Sequence, residues 1–297
     1  MTIDPKEISA PEMHGYLLGV IAPRPIAWAS TIDKDGNVNL APYSFFNVFS
    51  SNPPMLILSP ALPRDGQKKH TLLNAEETDE IVINIVSYPV VEQMSLSSTA
   101  YPKGVNEFVK AGLTEVKSDF VKPPRVGESI ASFECKVDRV ISLGQEPGAG
   151  NLILAEVILG HISDEILDEN GKPDPLKADL VGRMGGDWYA RATPDAIFKL
   201  PKPNRNLGIG VDQIPEFIRN STILTGNNLG RLANVTALPT QEEVEAFGQT
   251  DEILEMKMRF VNHRESFEDH LHELAQIFLN GDEVEKAWLT LLQVTTL

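Results

Sequence analysis

Cysteine is almost absent from this chain: a single residue, Cys135, stands among 297. An internal disulfide is therefore excluded, and no Cys/His cluster has the spacing of structural zinc. Long apolar runs are missing too, since no stretch reaches the roughly 18–20 residues that a membrane-spanning helix needs. The opening MTIDPKEISAPEMHG carries acids and a proline where a secretory leader has basic residues and an apolar run. A reducing cytoplasm, with no membrane partner, is the expected compartment. Positive charge is scarce: 26 Lys and Arg face 42 Asp and Glu, a net charge of −16. That field repels a phosphate backbone, and no basic stretch offsets it, which argues against a nucleic-acid partner. It opposes small anions as well, so an anion site has to be built from locally placed donors.

What is present is an ordinary globular composition, 42% hydrophobic and 23% charged. IAWASTI (26–32), the turn DKDGN (33–37) and the resumption at Val38 read as a hairpin. MLILS (55–59) and IVINIV (81–86) have the length of buried strands, with a short helix at TLLNAEET (71–78) between them. FECKVDRVISL (133–143) and LILAEVILGHIS (152–163) form a long hairpin, and Cys135 falls at a core position. Many strands with few long helices point to a mainly β fold, a barrel or sandwich. Beyond LPKPN (200–204) the periodicity becomes helical over 251–260, 266–280 and 282–292. Thr240/Glu243 and Asp282/Glu285 have the spacing of capping boxes. The division expected is therefore a β domain over 1–203 and a helical extension over 204–297. Trp288, Leu291 and Leu292 stripe three short helices that would scarcely bury them alone, so the extension is expected to pack on the β domain or on a partner subunit.

Three segments have compositions that core packing alone explains poorly. In APRPIAWAST (22–31), prolines on both sides hold Arg24 extended at the mouth of a strand. In NLAPYSFFNVFSSNPPML (39–56), Asn39, Ser44, Asn47, Ser50 and Ser51 alternate with aromatics, a texture that suits the rim and face of a planar heterocycle. In KKHTLLN (68–74), two lysines precede a helix whose first N–H groups, with Thr71 and Asn74, suit an anion. Each has a plainer reading: Arg24 paired with an acid, Ser44 and Asn47 as turn residues, KKHT as a solvated helix start. GAG (148–150) and GIG (208–210) do not complete a dinucleotide-binding glycine pattern. His270 and His272 point apart on one helix, which speaks against a metal site with His263. His161, alone among the histidines on an expected barrel strand, either faces a nicotinamide or is a satisfied strand residue.

The order of these segments is more informative than any one of them. RPIAWASTIDKDGNVNLAPYSFFNVFSSNPPML, then KKHTLLNAEETDEIVINIV and RMGGDWYARA (183–192), closely resembles the flavin reductase-like, flavoredoxin-type family of FMN-binding split barrels. The resemblance spans about residues 10–200. It implies a split β-barrel with short helices, a homodimer, and FMN reduced by NADH, NADPH or another donor. It also implies that Arg24, Trp28, Ser30 and Thr31 line the flavin, and that Ser44, Phe45, Phe46 and Asn47 contact its ring edge. Lys69, Thr71 and Asn74 would hold the phosphate, and Arg183 would approach from the far side. His70 departs from the family pattern, where an acid commonly stands. The function implied is NAD(P)H-dependent flavin reduction. An electron carrier that trades with a redox protein, or a non-catalytic FMN-binding or interaction protein, are the alternatives.

Overall fold

The computed structural model describes residues 1–297 except 201, 204–206, 262 and 297. Pro201 and Asn204 of the expected linker thus lie outside the described residues. The chain divides into two compact units, Met1–Phe198 and Lys199–Leu297.

The first unit opens with a helix that hydropathy did not announce, α1 (Ala10–Val20), started by the Ser9 hydroxyl accepting from the Glu12 N–H. The expected hairpin follows as β1 (Ala27–Ile32) and β2 (Val38–Tyr43). Its turn is held by the Asp33 carboxylate, which accepts from the N–H groups of Asp35 (3.0 Å) and Asn37 (2.8 Å). Gly36 supplies the positive φ, 92°, that the turn needs. Next come β3 (Phe46–Ser51), β4 (Pro54–Leu58), α2 (His70–Thr78), β5 (Glu80–Ile85), α3 (Val91–Leu96) and α4 (Glu107–Ala111). The short β6 (Glu115–Val116) and β7 (Arg125–Val126) pair, and the long hairpin is β8 (Ala131–Ser142) with β9 (Asn151–Ile162). A small ladder of β10 (Val181–Arg183) and β11 (Tyr189–Arg191) ends the unit.

Seven of these strands form one antiparallel sheet in the order β2-β1-β5-β8-β9-β4-β3. β2 and β3 are consecutive in the chain yet stand at opposite edges, so pairing does not close the sheet. This corrects the expectation of a mainly β protein. The chain is mixed α/β, because four helices accompany the open sheet and the second unit contains no named strand among its described residues.

Alternation along β1 sorts its side chains between two cores. Ala27 and Ala29 join Leu58, Ile81, Ile83, Cys135 and Ile153 on the concave face, where Leu72 and Ala75 of α2 pack as well. Trp28 faces the other way, into Leu40, Val86, Met94 and Phe108, a layer covered by α3 and α4. Cys135 is fully buried, and burial pushes its thiol up to about 12.

The second unit contains α5 (Glu216–Arg219), α6 (Gly226–Leu232), α7 (Gln241–Phe247), α8 (Asp251–Arg259), α9 (Arg264–Asn280) and α10 (Val284–Leu291). Thr240 and Glu243 make both bonds of a capping box. Asp282 does not, because it sits at a left-handed φ of 64° before the helix and its carboxylate pairs with Arg231 instead. A second capping box, Thr225 with Asn228, went unpredicted. The apolar stripe packs within this unit. Ile218 and Leu232 from α5 and α6 join Ala275, Leu279, Trp288 and Leu291 in one cluster, all fully buried. The Trp288 indole donates to the Leu232 carbonyl at 3.1 Å. Three helices were too few; six described ones suffice.

His272 is buried in this unit with Nδ1 2.8 Å from the Ser221 hydroxyl, while its Nε2 is buried without a partner. Burial holds its pKa below the ordinary 6.5. The unfolded chain therefore takes up the proton first, and stability present above about pH 6.5 is lost as the pH falls. Residues 199–297 expressed alone should show a cooperative helical melt by circular dichroism. Its midpoint should drop between pH 7 and about 5.5, and His272→Gln should flatten that dependence.

Candidate functional site

The side chains suspected of binding fall into two groups, with a few outliers. The first group is assembled where α2 meets the β1–β2 hairpin. Thr71, in the first turn of α2, is 1% exposed. Its Oγ1 accepts from the Tyr43 hydroxyl and from Asn39 Nδ2, both at 2.9 Å. Both lone pairs are thus used, and the hydroxyl hydrogen is left to donate. Asn74, one turn further on, donates to Thr31 Oγ1 at 3.1 Å. Asn39, Thr31, Thr71 and Asn74 are therefore one buried network joining two strands to a helix. Tyr43, which no motif singled out, joins it through Thr71, and burial pushes its phenol up to about 12.

No side chain caps the start of α2. The N–H groups of Leu72 and Leu73 bond to the Lys69 carbonyl, which leaves those of His70 and Thr71 to meet an anion at the positive end of the helix dipole. The two lysines beside it differ. Lys68 is committed to Glu76 at 2.6 Å. Lys69 has no carboxylate partner among the described residues; its ammonium lies 5.4 Å from the centre of the Tyr43 ring, and desolvation lowers its pKa. An uncommitted cation at an uncapped helix start is the combination that overcomes the overall negative field locally.

The second group gathers around α1. Arg24 is not the free guanidinium that its flanking prolines suggested. It is 7% exposed, and donates from Nη1 to the carbonyls of Ile21 (2.7 Å) and Leu18 (3.1 Å) and from Nη2 to that of Met184 (2.8 Å). Burial and the nearby charge of Arg183 lower its pKa. The main chains of Arg24 and Arg183 exchange two hydrogen bonds of 2.9 Å. The glycine-rich loop fits against this clamp because it lacks side chains. A Cβ on Gly182 would lie 2.8 Å from Pro23 Cβ, and one on Gly185 3.1 Å from Gly19 Cα. Arg183 itself stacks over the Tyr189 ring at 4.6 Å and donates to the Gly186 carbonyl. Phe45 meets the His14 ring of α1 edge-on at 5.9 Å.

The short link from Tyr43 through Ser44 and Phe45 to Phe46 joins the two groups. Ser44 and Phe46 are half-buried and Asn47 is exposed. Beyond this link an apolar cavity of about 420 Å³ opens between Phe46, Met55, Leu56, Val86 and Phe133. The helix start thus offers donors to an anion, and the cavity offers an apolar surface.

Three predicted residues stand apart. Trp28 and Ser30 are fully buried on the other face of β1, the indole donating to Ser97 Oγ at 2.8 Å and the Ser30 hydroxyl to the Pro124 carbonyl. Their side chains are spent on packing, a consequence of the alternation that sends Ala27, Ala29 and Thr31 inward. His161 is held by Glu134, its Nε2 2.7 Å from Oε1. Glu134 was the partner no motif had signalled. His263, His270 and His272 form no cluster: His270 Nδ1 lies 2.7 Å from the Ser266 carbonyl oxygen.

Against this geometry, the comparisons with known proteins are consistent. Residues 21–177 match the family model "Flavin reductase like domain". The chain belongs to that family. The match lies wholly inside the first unit. A protein of Aquifex aeolicus, described as uncharacterized, is 40% identical over 195 residues, which is 66% of this chain and 97% of the relative. Among solved structures, nitrilotriacetate monooxygenase component B from Bacillus cereus is 28% identical with a TM-score of 0.62, covering 68% of this chain and 98% of its own. A putative flavin reductase with a split barrel domain from Shewanella frigidimarina shares the fold at 23% identity and a TM-score of 0.58, over 68% of this chain and 99% of that one. A flavin is thus the cofactor class that the family implies. No helix among the described residues is long and apolar enough to cross a membrane.

The two roles assigned around α2 separate by mutation. Thr71→Val leaves the Tyr43 and Asn39 donors unsatisfied, at about 1–3 kcal/mol each. Denaturant unfolding should show a loss of about 2 kcal/mol or more, whereas Lys69→Ala should change stability by less than about 0.5 kcal/mol.

Proposed function

We propose that the first unit binds FMN and reduces it with NADH or NADPH, acting as a flavin reductase. The observation that carries the reading is the unpaired Lys69 at the uncapped start of α2, tied through Tyr43 and Thr71 to the aromatic turn 44–47. A monophosphate suits one lysine, one hydroxyl and the first-turn N–H groups, with Asn74 holding Thr31 behind them. Ser44, Phe45, Phe46 and Asn47 border the ring system, and Arg183, steadied by the Arg24 clamp, closes the site from the glycine-rich loop. Arg24 serves through that clamp, not by contact.

When bound, the flavin supplies N5 as the acceptor of a hydride from the nicotinamide, so no protein acid or base is required for that step. The chain's own task is to hold the ring, exclude water with its apolar turn, and leave one face open to the donor. The absence of a catalytic triad or carboxylate pair in the sequence agrees with this division of labour. Flavin released from the denatured protein should be FMN, and FAD in its place would refute the phosphate assignment. Lys69→Ala should weaken FMN by about one to two decades, the worth of a charge-assisted hydrogen bond. Anaerobic mixing with NADH and NADPH should bleach the flavin within turnover. Slow bleaching by both, with fast reduction by a redox protein, would favour the electron carrier.

The same unit supports a homodimer. Helix α1 buries none of its residues although Val20 is 81% exposed, and edge strand β3 leaves Val48 and Phe49 65% and 64% exposed. Such apolar surface on a sheet edge is stabilised by a second copy. Light scattering should report a dimer at micromolar concentration, and Phe49→Asp should shift it to monomer.

A further inference from the structure

A second polar pocket, of about 210 Å³, lies where β7, the start of β8 and the end of β9 meet. Arg125, Ser129, Ser132, His161 and Ser163 line it, and no carboxylate does. Two of its polar atoms, Arg125 Nε and Ser129 Oγ, are buried without a hydrogen-bond partner among the described residues. The guanidinium makes a single described bond, from Nη2 to the Lys117 carbonyl at 3.2 Å, and pairs with no acid among the described residues.

The imidazole across the pocket is held in place from behind. Glu134 Oε1 accepts from the Asp119 N–H (2.8 Å) and contacts His161 Nε2 (2.7 Å). Its Oε2 accepts from the N–H groups of Phe120 (2.6 Å) and Val121 (3.2 Å). All four acceptor sites of this carboxylate are filled. Asp119, Glu134 and His161 come within 4.8 Å of one another, but the saturated Glu134 has no lone pair left for a metal. His161 Nδ1 is then the ring nitrogen without a hydrogen bond among the described residues. Ser132 is engaged with Asn84, and Ser163 accepts from the Glu165 N–H.

We propose that this pocket binds a compact oxyanion, a carboxylate of a few carbons or a phosphate, with one oxygen on Arg125 Nε and Ser129 Oγ and another toward His161. A guanidinium edge with a free N–H matches such an acceptor, and oxygen atoms would satisfy both buried orphans at once. The volume is below that of sites that take drug-sized ligands, which excludes a nucleotide.

Calorimetric titration of the full-length protein with sodium acetate, malonate and phosphate, at constant ionic strength, tests the assignment. At least one should bind saturably at one site per chain, and the preferred anion distinguishes a carboxylate site from a phosphate site. Arg125→Gln should weaken that anion at least tenfold and Ser129→Ala severalfold, with unchanged circular dichroism. If Arg125→Gln fails to fold, Ser129→Ala and His161→Gln serve as the variants. No saturable binding by any of the three anions, or equal affinity in the folded variants, would overturn the site.

Discussion

The hydrogen bond from the Tyr43 hydroxyl to Thr71 Oγ1 is the contact on which the arrangement of the first unit turns. It ties the end of an edge strand to the first turn of the helix that plugs the concave face of the sheet. Because Asn39 shares the same oxygen, and Asn74 reaches Thr31, the hairpin and helix cannot shift without leaving several buried donors unsatisfied. The open sheet makes this necessary. With β2 and β3 unpaired to each other, nothing in the backbone ladder fixes the end of β2 relative to α2. The side-chain network does so, and in doing so it sets the anion-ready helix start beside the aromatic turn.

A second clamp performs the same service at the other end. Arg24 is spent on three carbonyls, which fastens the C-terminal end of α1 and the loop carrying Arg183 to the entrance of β1. The electrostatic division is clear: one buried arginine shapes the backbone, while Lys69 keeps its charge for use. Arg125 repeats that second pattern elsewhere, as a cation without an acid in a strongly acidic chain.

The second unit follows a different logic. Its cohesion comes from Trp288 and its neighbours, packed among six helices, two of which start at the capping boxes of Thr225 and Thr240. The buried His272 shows that its polar contacts are selective: the ring is tolerated neutral against Ser221, with one nitrogen unsatisfied. The core of this unit is built from its own residues.

Much of this was legible in the residues. Hairpin β1–β2, strands β4, β5, β8 and β9, helix α2 and the three long C-terminal helices follow from local signals, namely alternation, Asx-turn chemistry and helical spacing. The lysines before α2 and the order of the motifs pointed to a flavin. What local pattern could not decide was direction and partnership. Whether Trp28 or Thr31 faces the site depends on which side of β1 the helices cover. Whether Arg24 is free depends on how the end of α1 turns the Leu18 and Ile21 carbonyls and on the Met184 carbonyl 160 residues away. The role of Tyr43, the pairing of Glu134 with His161 and the failed cap at Asp282 likewise rest on contacts distant in sequence. The sequence by itself therefore determined the elements and the class of chemistry, because those depend on neighbours along the chain. The tertiary structure alone decided which side chains remain available for it, because availability is what is left after long-range hydrogen bonds have been made.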